Sequence, residues 1–520
     1  MGIFRTKPVE QSIADADEPE HRLKRDLSAT DLTVFGIGVI IGTGIFVLTG
    51  VAARENAGPA VALSFVVAGV VCALAALCYA EFASTVPVAG SAYTYSYATL
   101  GEVVAWIIGW DLVLELALGA AVVSVGWSQY LNTLLDTVGL ALPTSIAGET
   151  ATVNVPAMLL VALLTAVLVA GIKISSRLNA VMVAVKLAVV GLVIVAGLFF
   201  VRAANYTPFV PEAQPRGEES GLRAPLVQEV LGYTPTDFGV LGIFTAASIV
   251  FFAFIGFDVV ATAAEETRDP QRDMPRGIIG SLAVCTTLYV AVSLVVVGMQ
   301  SYAELNTAAP LAEAFRAVDQ DVIATLITVG ALAGLTTVVM ILMLGQSRVI
   351  FAMSRDNLLP RGLAAVHPRF GTPYRITIAV GAVVTLMAGF IPLSALAELV
   401  NIGTLFAFVL VSIGVIVLRR TRPDLPRAFR APWVPVLPAL SVVACLWLML
   451  NLPVDTWLRF LAWMLLGVVV YAFYGSRHSR VAGAAQDRTI DLREGQGRAW
   501  LDEGGADPTG TSGTRRDERP

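Results

Sequence analysis

The sequence predicts an all-α polytopic membrane protein with twelve transmembrane helices, and three observations support this fold class. First, 56% of the 520 residues are hydrophobic and only 14% are charged, with a mean hydropathy of +0.74, unlike the balance of a soluble protein. Second, twelve apolar runs approach the length of about 20 residues that a bilayer-crossing helix needs. Third, glycine interrupts two of these runs near their middle.

The twelve predicted spans are rich in Leu, Val, Ile and Ala, and they lie near residues 33–53, 60–82, 103–133, 156–172, 179–201, 240–263, 277–299, 322–345, 376–391, 396–418, 433–451 and 457–475. The first 32 residues are polar, so we expect span 1 to be retained rather than cleaved as part of a signal peptide. All four cysteines lie within apolar runs and lack metal-ligand spacing, so no metal site is predicted.

Basic residues predict the orientation. With the N-terminus inside, both termini and alternate loops hold 28 of the 35 Lys and Arg, the opposite loops hold six, and Lys186 lies within a span. Positive charge concentrates on the cytoplasmic side of membrane proteins. The sequence therefore predicts a multi-pass plasma-membrane protein with both termini in the cytoplasm.

The two interrupted runs are residues 35–46 in span 1 and 251–258 in span 6. Backbone within hydrocarbon must satisfy its own hydrogen bonds, so an unwound stretch there lines a cavity or holds a ligand. Their separation by five spans is expected of a five-helix inverted repeat, in which the two breaks meet near the bilayer centre.

This arrangement divides the chain into six segments. They are a cytoplasmic N-terminal segment (1–32), the first five-helix repeat (33–202), an extracellular loop (203–239), the second repeat (240–418), two peripheral helices (419–475) and a disordered cytoplasmic tail (476–520).

The chemistry of the predicted meeting point favours a zwitterion. Free amides at Gly42-Thr43-Gly44 would begin the outer half of span 1, where the positive end of the helix dipole favours a carboxylate. Carbonyls freed at both breaks would favour an ammonium, and an α-amino acid carries both groups. The predicted substrate-binding residues at the two breaks are Ile40, Ile41, Gly42, Thr43, Gly44, Ile45, Phe252, Ala253 and Ile255.

An alternative is that the glycines of span 1 form a close-packing face, since small residues let membrane helices approach. They are Gly36, Gly38, Gly42 and Gly44.

Several motifs make the chain resemble the amino acid–polyamine–organocation (APC) superfamily, in the branch of the cationic amino acid transporters (CAT) and their bacterial twelve-helix relatives. The motifs are Gly38-Val-Ile-Ile-Gly-Thr-Gly-Ile-Phe46, Glu81 through Gly90-Ser-Ala-Tyr93, Phe254-Ile-Gly-Phe-Asp258, Glu265-Glu266, Asp269-Pro-Gln271, Pro275-Arg-Gly-Ile278, Gly345-Gln-Ser-Arg348, Ala352-Met-Ser-Arg-Asp356 and Asn401-Ile-Gly-Thr404. Together they cover roughly residues 25–475. The resemblance implies a LeuT-like fold with ten core helices in two inverted repeats plus two peripheral helices, secondary active transport and an amino acid substrate.

Lys186 is the candidate for energy coupling, because it is the only base in the middle of a predicted span. A lysine in an apolar setting gains and loses a proton readily, which can bias a carrier between two states. The alternative is that its flexible stem snorkels toward the inner headgroups. In the resembled superfamily, proton-coupled members place a lysine on helix 5 where sodium-driven relatives hold a cation.

Three acids are weaker candidates for proton coupling. Asp111 and Glu115 lie four residues apart on one face of span 3. They fit either a proton path or polar contacts that fix span 3 in the bundle. Asp258 follows the break in span 6, where we expect it to cap the freed amides, with a response to protonation as the alternative. Glu81, Glu265 and Glu266 lie at inner ends of spans beside basic loops, which predicts structural ion pairs.

Leu335 in span 8 is the remaining predicted substrate-binding residue. The resemblance implies that this position is small in members that admit large cationic substrates, so a leucine favours a neutral small or aliphatic amino acid.

The sequence thus predicts a secondary active transporter, a proton-coupled importer of a neutral small or aliphatic L-amino acid working by alternating access. The alternatives are an exchanger, of amino acids or of a cationic amino acid for a polyamine, and a transport-inactive nutrient sensor. An enzyme is not predicted, because none of the three histidines lies within a span. The expected partners are the substrate and the bilayer, without nucleic acid. No cofactor is expected beyond the proton gradient, and a small auxiliary membrane subunit or a homo-oligomer is left open.

Overall fold

The computed structural model describes residues 26–86, 91–148, 151–171, 176–215, 221–232, 236–367, 370 and 372–479. In this part of the chain the regular structure is helical apart from one pair of two-residue strands, β1 (Gln214–Pro215) and β2 (Thr236–Asp237), which are antiparallel. Most of the predicted N-terminal segment and most of the predicted tail lie outside the described residues.

The α-helices differ widely in length. They are α1 (Ala29–Ile40), α2 (Thr49–Ala52), α3 (Val61–Thr85), α4 (Ala92–Thr99), α5 (Glu102–Asp136), α6 (Val155–Val169), α7 (Ser176–Gly197), α8 (Leu226–Leu231), α9 (Gly239–Val250), α10 (Phe257–Val260), α11 (Pro270–Met299), α12 (Pro310–Arg316), α13 (Asp321–Arg355), α14 (Tyr374–Phe390), α15 (Leu393–Thr421), α16 (Val436–Leu450), α17 (Val454–Val470) and α18 (Ser476–His478).

Among the described residues, eight helical segments are long and apolar enough to cross a membrane. They are Gly44–Thr85, Glu102–Asp136, Asn179–Phe200, Gly239–Ala264, Pro270–Met299, Asp321–Arg355, Leu393–Thr421 and Val454–His478. Four shorter apolar helices, α1, α6, α14 and α16, lie where further spans are predicted. The chain is therefore a polytopic helical membrane protein, while the count of twelve crossings, the inverted repeat and the orientation stay predictions.

Large apolar side chains cover the outside of the helices. Phe199 is 83% exposed and Leu159 is 66% exposed, fractions that are costly in water but favourable against lipid.

Helix α1 begins at a capping box and ends at the predicted interruption of span 1. Ser28 and Asp31 form a capping box, with the Ser28 N–H donating to Asp31 Oδ2 over 3.0 Å, which satisfies free donors at the helix start. The α-helix ends at Ile40, Ile41 is extended (φ −72°, ψ 95°), and a π-helical turn follows over Gly44–Leu48. The predicted interruption of span 1 is present.

The second predicted interruption is also present. Helix α9 ends at Val250, and Phe251–Phe254 form a 3-10 turn. Ile255 is extended and Gly256 has φ +117° before α10 begins at Phe257. A φ of this value is accessible to glycine and strained for other residues, so Gly256 permits the chain to turn here.

Two of the three predicted ion pairs at the basic ends of the helices, those of Glu81 and Glu266, are confirmed, and the side chain of Glu265 lies outside the described part of the chain. Glu81, at the end of α3, accepts from Arg419 Nε and Nη2 over 2.9 and 2.6 Å and from the Ala431 N–H over 2.8 Å. Arg427 Nε lies 3.4 Å from the same carboxylate. Arg348 Nη2 lies 2.8 Å from Glu266 Oε1.

Candidate functional site

The two interruptions lie directly against each other. A Cβ placed on Gly44 would lie 2.2 Å from the Cα of Ala253, so no side chain fits at position 44. One placed on Gly256 would lie 2.6 Å from Val39 Cγ1. The two broken helices therefore meet backbone to backbone.

A small cavity lies at this meeting point. Its walls come from the broken helices and from α5 and α13, and the lining residues are Val39, Ile40, Gly42, Thr43, Gly44, Gly119, Val123, Phe252, Ile255, Val338 and Leu342. None of these residues is charged.

Six of the ten predicted substrate-binding residues line this cavity: Ile40, Gly42, Thr43, Gly44, Phe252 and Ile255. The other four are Ile41, Ile45, Ala253 and Leu335, which are buried but are not among the lining residues. Ala253 instead lies directly against Gly44.

Leu335 lies on the predicted helix, α13, and is buried, but it is not among the residues that line this cavity. Val338 and Leu342 line the cavity in its place, three and seven residues further along the same helical face. The motif used for the prediction identifies the face of the helix but not the turn that reaches the cavity.

Sequence reasoning missed the wall formed by α5. Gly119 and Val123 lie four residues apart there, and the only available signal was this helical spacing. An apolar pair of this kind looks the same in any packed membrane helix.

Freed carbonyls do lie at the breaks, and a tyrosine lies between them. The Tyr289 hydroxyl of α11 is 2.7 Å from the Ile40 carbonyl oxygen and 2.9 Å from that of Ala253. A hydroxyl has one proton to donate, so it serves one of these two carbonyls at a time. The Thr43 hydroxyl is buried beside the cavity without a hydrogen-bond partner among the described residues. The site is thus rich in acceptors.

Lys186 is fully buried in α7 and does not snorkel to the surface. Its Nζ donates to the Gly38 carbonyl of α1 over 2.5 Å. Its stem lies along α13, where a Cβ on Gly334 would be 3.0 Å from Lys186 Cγ. The amine therefore connects α7 to the helix that carries the first break.

The glycines of span 1 differ in how closely they are packed. A Cβ on Gly36 would lie 2.5 Å from Ser281 Oγ, and one on Gly38 would lie 2.8 Å from Val183 Cγ2. These two positions, with Gly44, allow close packing. Gly42 differs, because its nearest neighbour would be Val338 at 3.6 Å, an ordinary van der Waals distance.

The three candidate acids are all buried. Asp111, Glu115 and Asp258 are each at least 98% buried, and the charges of Asp111 and Asp258 act on the Glu115 carboxyl. Asp258 Oδ1 accepts from the Gly256 N–H over 3.2 Å, so its carboxyl binds an amide at the break. Neither carboxyl oxygen of Asp111 has a hydrogen-bond partner in the described part of the chain. Within that part, no group of three or more His, Cys, Asp or Glu is arranged to hold a metal ion.

Comparison with known proteins shows the family of the chain. Residues 27–473 match the amino acid permease family. The methylthioribose transporter of Bacillus subtilis (strain 168) is 46% identical over 482 residues, covering 92% of this chain and 98% of that protein. The branched-chain amino acid permease BcaP of the same organism is 47% identical over 487 residues, covering 92% and 99%.

A more distant relative is cationic amino acid transporter 4, vacuolar, of Arabidopsis thaliana. It is 38% identical over 426 residues, which cover 81% of this chain and 68% of that protein. The chain is a membrane transporter and not an enzyme, and it belongs to the amino acid permease family of the amino acid–polyamine–organocation superfamily, as a member similar to the cationic amino acid transporters.

Proposed function

We propose that this protein imports a neutral aliphatic L-amino acid across the cell membrane by alternating access, driven by the proton gradient. The observation that carries the proposal is the cavity where the two broken helices meet, with backbone polar groups at the breaks and apolar side chains as walls.

Backbone groups at the breaks support recognition of a zwitterion. The amides of Gly42, Thr43 and Gly44 begin the outer half-helix, at a point that favours a carboxylate. The carbonyls of Ile40 and Ala253 share the single proton of Tyr289, so an ammonium would supply the donor that one of them lacks. Binding would therefore fix the α-carbon of an amino acid between the two breaks.

The walls support a neutral, aliphatic side chain. All eleven lining residues are uncharged, and those from α5 and α13 are Gly119, Val123, Val338 and Leu342. A guanidinium or ammonium in this pocket would have no carboxylate among the lining residues to pair with, which makes its burial costly. The relatives named as branched-chain amino acid permeases agree with this substrate class.

The contact between Lys186 and the Gly38 carbonyl supports proton coupling. A protonated amine binds the Gly38 carbonyl in the inner half-helix that ends at the first break. Loss of the proton would weaken this charge-assisted bond and free that half-helix to move. The buried acids Asp111, Glu115 and Asp258 are further places where protons could be held.

Uptake into liposomes tests the proposal. Purified protein in liposomes with an alkaline interior should accumulate radiolabelled leucine or valine, and a protonophore should abolish the accumulation. Lys186→Met should reduce gradient-driven accumulation to background while leucine–leucine exchange persists, because the variant keeps the cavity and loses the titrating group. Arg459→Met, which removes an exposed charge paired with Asp455, is the matched control and should transport normally.

The same measurement separates the alternatives. Normal gradient-driven accumulation by Lys186→Met would refute the coupling role of Lys186. Wild-type uptake that requires a preloaded counter-substrate and ignores the pH gradient would identify an exchanger. Binding without any transport would identify a sensor. Competition by methylthioribose but not by leucine would identify a substrate like the one named for the relative that is 46% identical.

A further inference from the structure

One face of α5 leads from the cavity toward the side that the charge distribution predicts to be extracellular. Gly119, Val123, Gly126 and Tyr130 follow one another at steps of four, three and four residues, so they share this face. Gly119 and Val123 line the cavity. A Cβ on Gly126 would lie 2.7 Å from Thr43 Cγ2, so α5 and the outer half-helix are in contact immediately beyond the cavity.

Tyr130 makes the next contact along this face. Its hydroxyl donates to the Phe46 carbonyl over 2.7 Å. Its ring lies edge-to-face on the Phe46 ring, with centroids 6.0 Å apart and an interplanar angle of 81°. Both side chains are fully buried. Phe46 belongs to the π-helical turn Gly44–Leu48, a type of turn that is rare and frequent at functional sites.

The start of α12 packs against the same half-helix. A Cβ on Gly50 would lie 2.6 Å from both the Asn306 carbonyl oxygen and Pro310 Cβ, at the start of α12. Residues 42–50 are all buried. The path from the cavity toward the end of α5 is therefore closed in this structure, and Tyr130 contributes a polar contact at that closure.

We propose that Tyr130 is a positioning residue that latches the outer side of the cavity. The cavity opens on this side only when the outer half-helix moves away from α5, and that movement breaks the bond between the Tyr130 hydroxyl and the Phe46 carbonyl. Removing the hydroxyl deletes this bond from the closed state, where it is made, and costs the open state nothing, so the equilibrium shifts toward the open state. The inference rests on the proposed function only in taking this cavity as the solute site.

Thiol labelling of the full-length protein in intact cells tests the latch without requiring transport. The four native cysteines are buried, so Val123→Cys provides a reporter in the cavity wall. With a membrane-impermeant methanethiosulfonate reagent outside, adding Tyr130→Phe should raise the labelling rate about fivefold, the effect expected for one net hydrogen bond. Tyr130→Ala should raise it further because the ring contact is lost too.

Tyr206→Phe is the matched control. The Tyr206 hydroxyl donates to the Leu294 carbonyl over 2.8 Å, so the change removes a bond of the same kind between other elements and should leave the labelling rate unchanged. Thermal unfolding of each purified variant checks that the fold is retained. The proposal would be overturned if the Val123→Cys protein is labelled at the same rate with and without the Tyr130→Phe change, whatever that rate is. It would also be overturned if Tyr206→Phe raises the labelling rate as much as Tyr130→Phe does. A failure here leaves the uptake experiment unaffected, so the two proposals fail separately.

Discussion

Gly42 and Gly44 are two residues apart and look alike in the sequence, but the structure gives them different roles. The Cα of Gly44 approaches Ala253 so closely that a Cβ would lie 2.2 Å from the opposite Cα. A Cβ on Gly42 would meet Val338 at 3.6 Å beside the cavity. The first glycine allows the two breaks to be in contact, and the second leaves space beside the cavity, where we propose that the solute binds.

Substitutions at these glycines should separate the two roles. Gly44→Ala should lower the melting temperature and abolish leucine binding, because the two backbones must move apart. Gly42→Val should remove binding with little loss of stability, since its methyl groups extend into the cavity. Thermal unfolding with and without leucine measures both effects. Gly191→Ala in α7, where a Cβ meets nothing within 4 Å, should change neither. Leucine binding by Gly44→Ala at the wild-type affinity would contradict the role given to the paired breaks.

At the scale of single residues, the sequence predicts polar and glycine positions better than apolar ones. Gly42, Thr43 and Lys186 stand out because each is unusual inside a membrane span. Val338 and Leu342 do not, since an apolar residue is ordinary there. Distinguishing them from Leu335 requires knowing which turn of α13 faces the cavity, and this depends on how four helices pack.

Among the elements, the end of α3 is bound to the connection between α15 and α16. The Glu81 carboxylate is 1% exposed, accepts from Arg419 and the Ala431 N–H, and forms an ion pair with Arg427, whose Nε lies 3.4 Å away. The charges at the helix ends predicted that Glu81 forms an ion pair. They did not predict that two arginines, Arg419 and Arg427, take part. The sequence does not show which of five arginines in the loop 419–431 reaches the acid.

Glu81→Gln should therefore destabilise the protein by about 3 kcal/mol, because it leaves Arg427, whose side chain is 5% exposed, without a counter-charge. Asp455→Asn is the matched control, since its Arg459 partner is 47% exposed and such pairs contribute about 1 kcal/mol or less. Chemical unfolding in detergent measures both variants. Equal, small losses would show that the buried cluster does not hold these elements together.

For the whole molecule, composition and apolar run length predicted a polytopic helical protein, and both glycine interruptions are present. These features were predictable because the bilayer imposes strict rules on length and backbone hydrogen bonding. Four predicted spans correspond to helices of only 12 to 17 residues, and helix length alone does not establish that they cross. Gly44 and Ala253 are about two hundred positions apart in the chain and lie in contact in the structure. A single sequence suggests such a long-range contact only through the similar spacing of the two breaks in its two halves.

The central claim is that the paired breaks hold an amino acid by both its charged groups. The most direct measurement is calorimetric binding to the purified wild-type protein of three ligands that share one side chain: leucine, leucinamide, which lacks the carboxylate, and 4-methylpentanoate, which lacks the ammonium. The account predicts that leucine binds and that each analogue binds at least about a hundredfold more weakly, since each leaves polar groups at one break unpaired. Binding of either analogue with an affinity equal to that of leucine would contradict it.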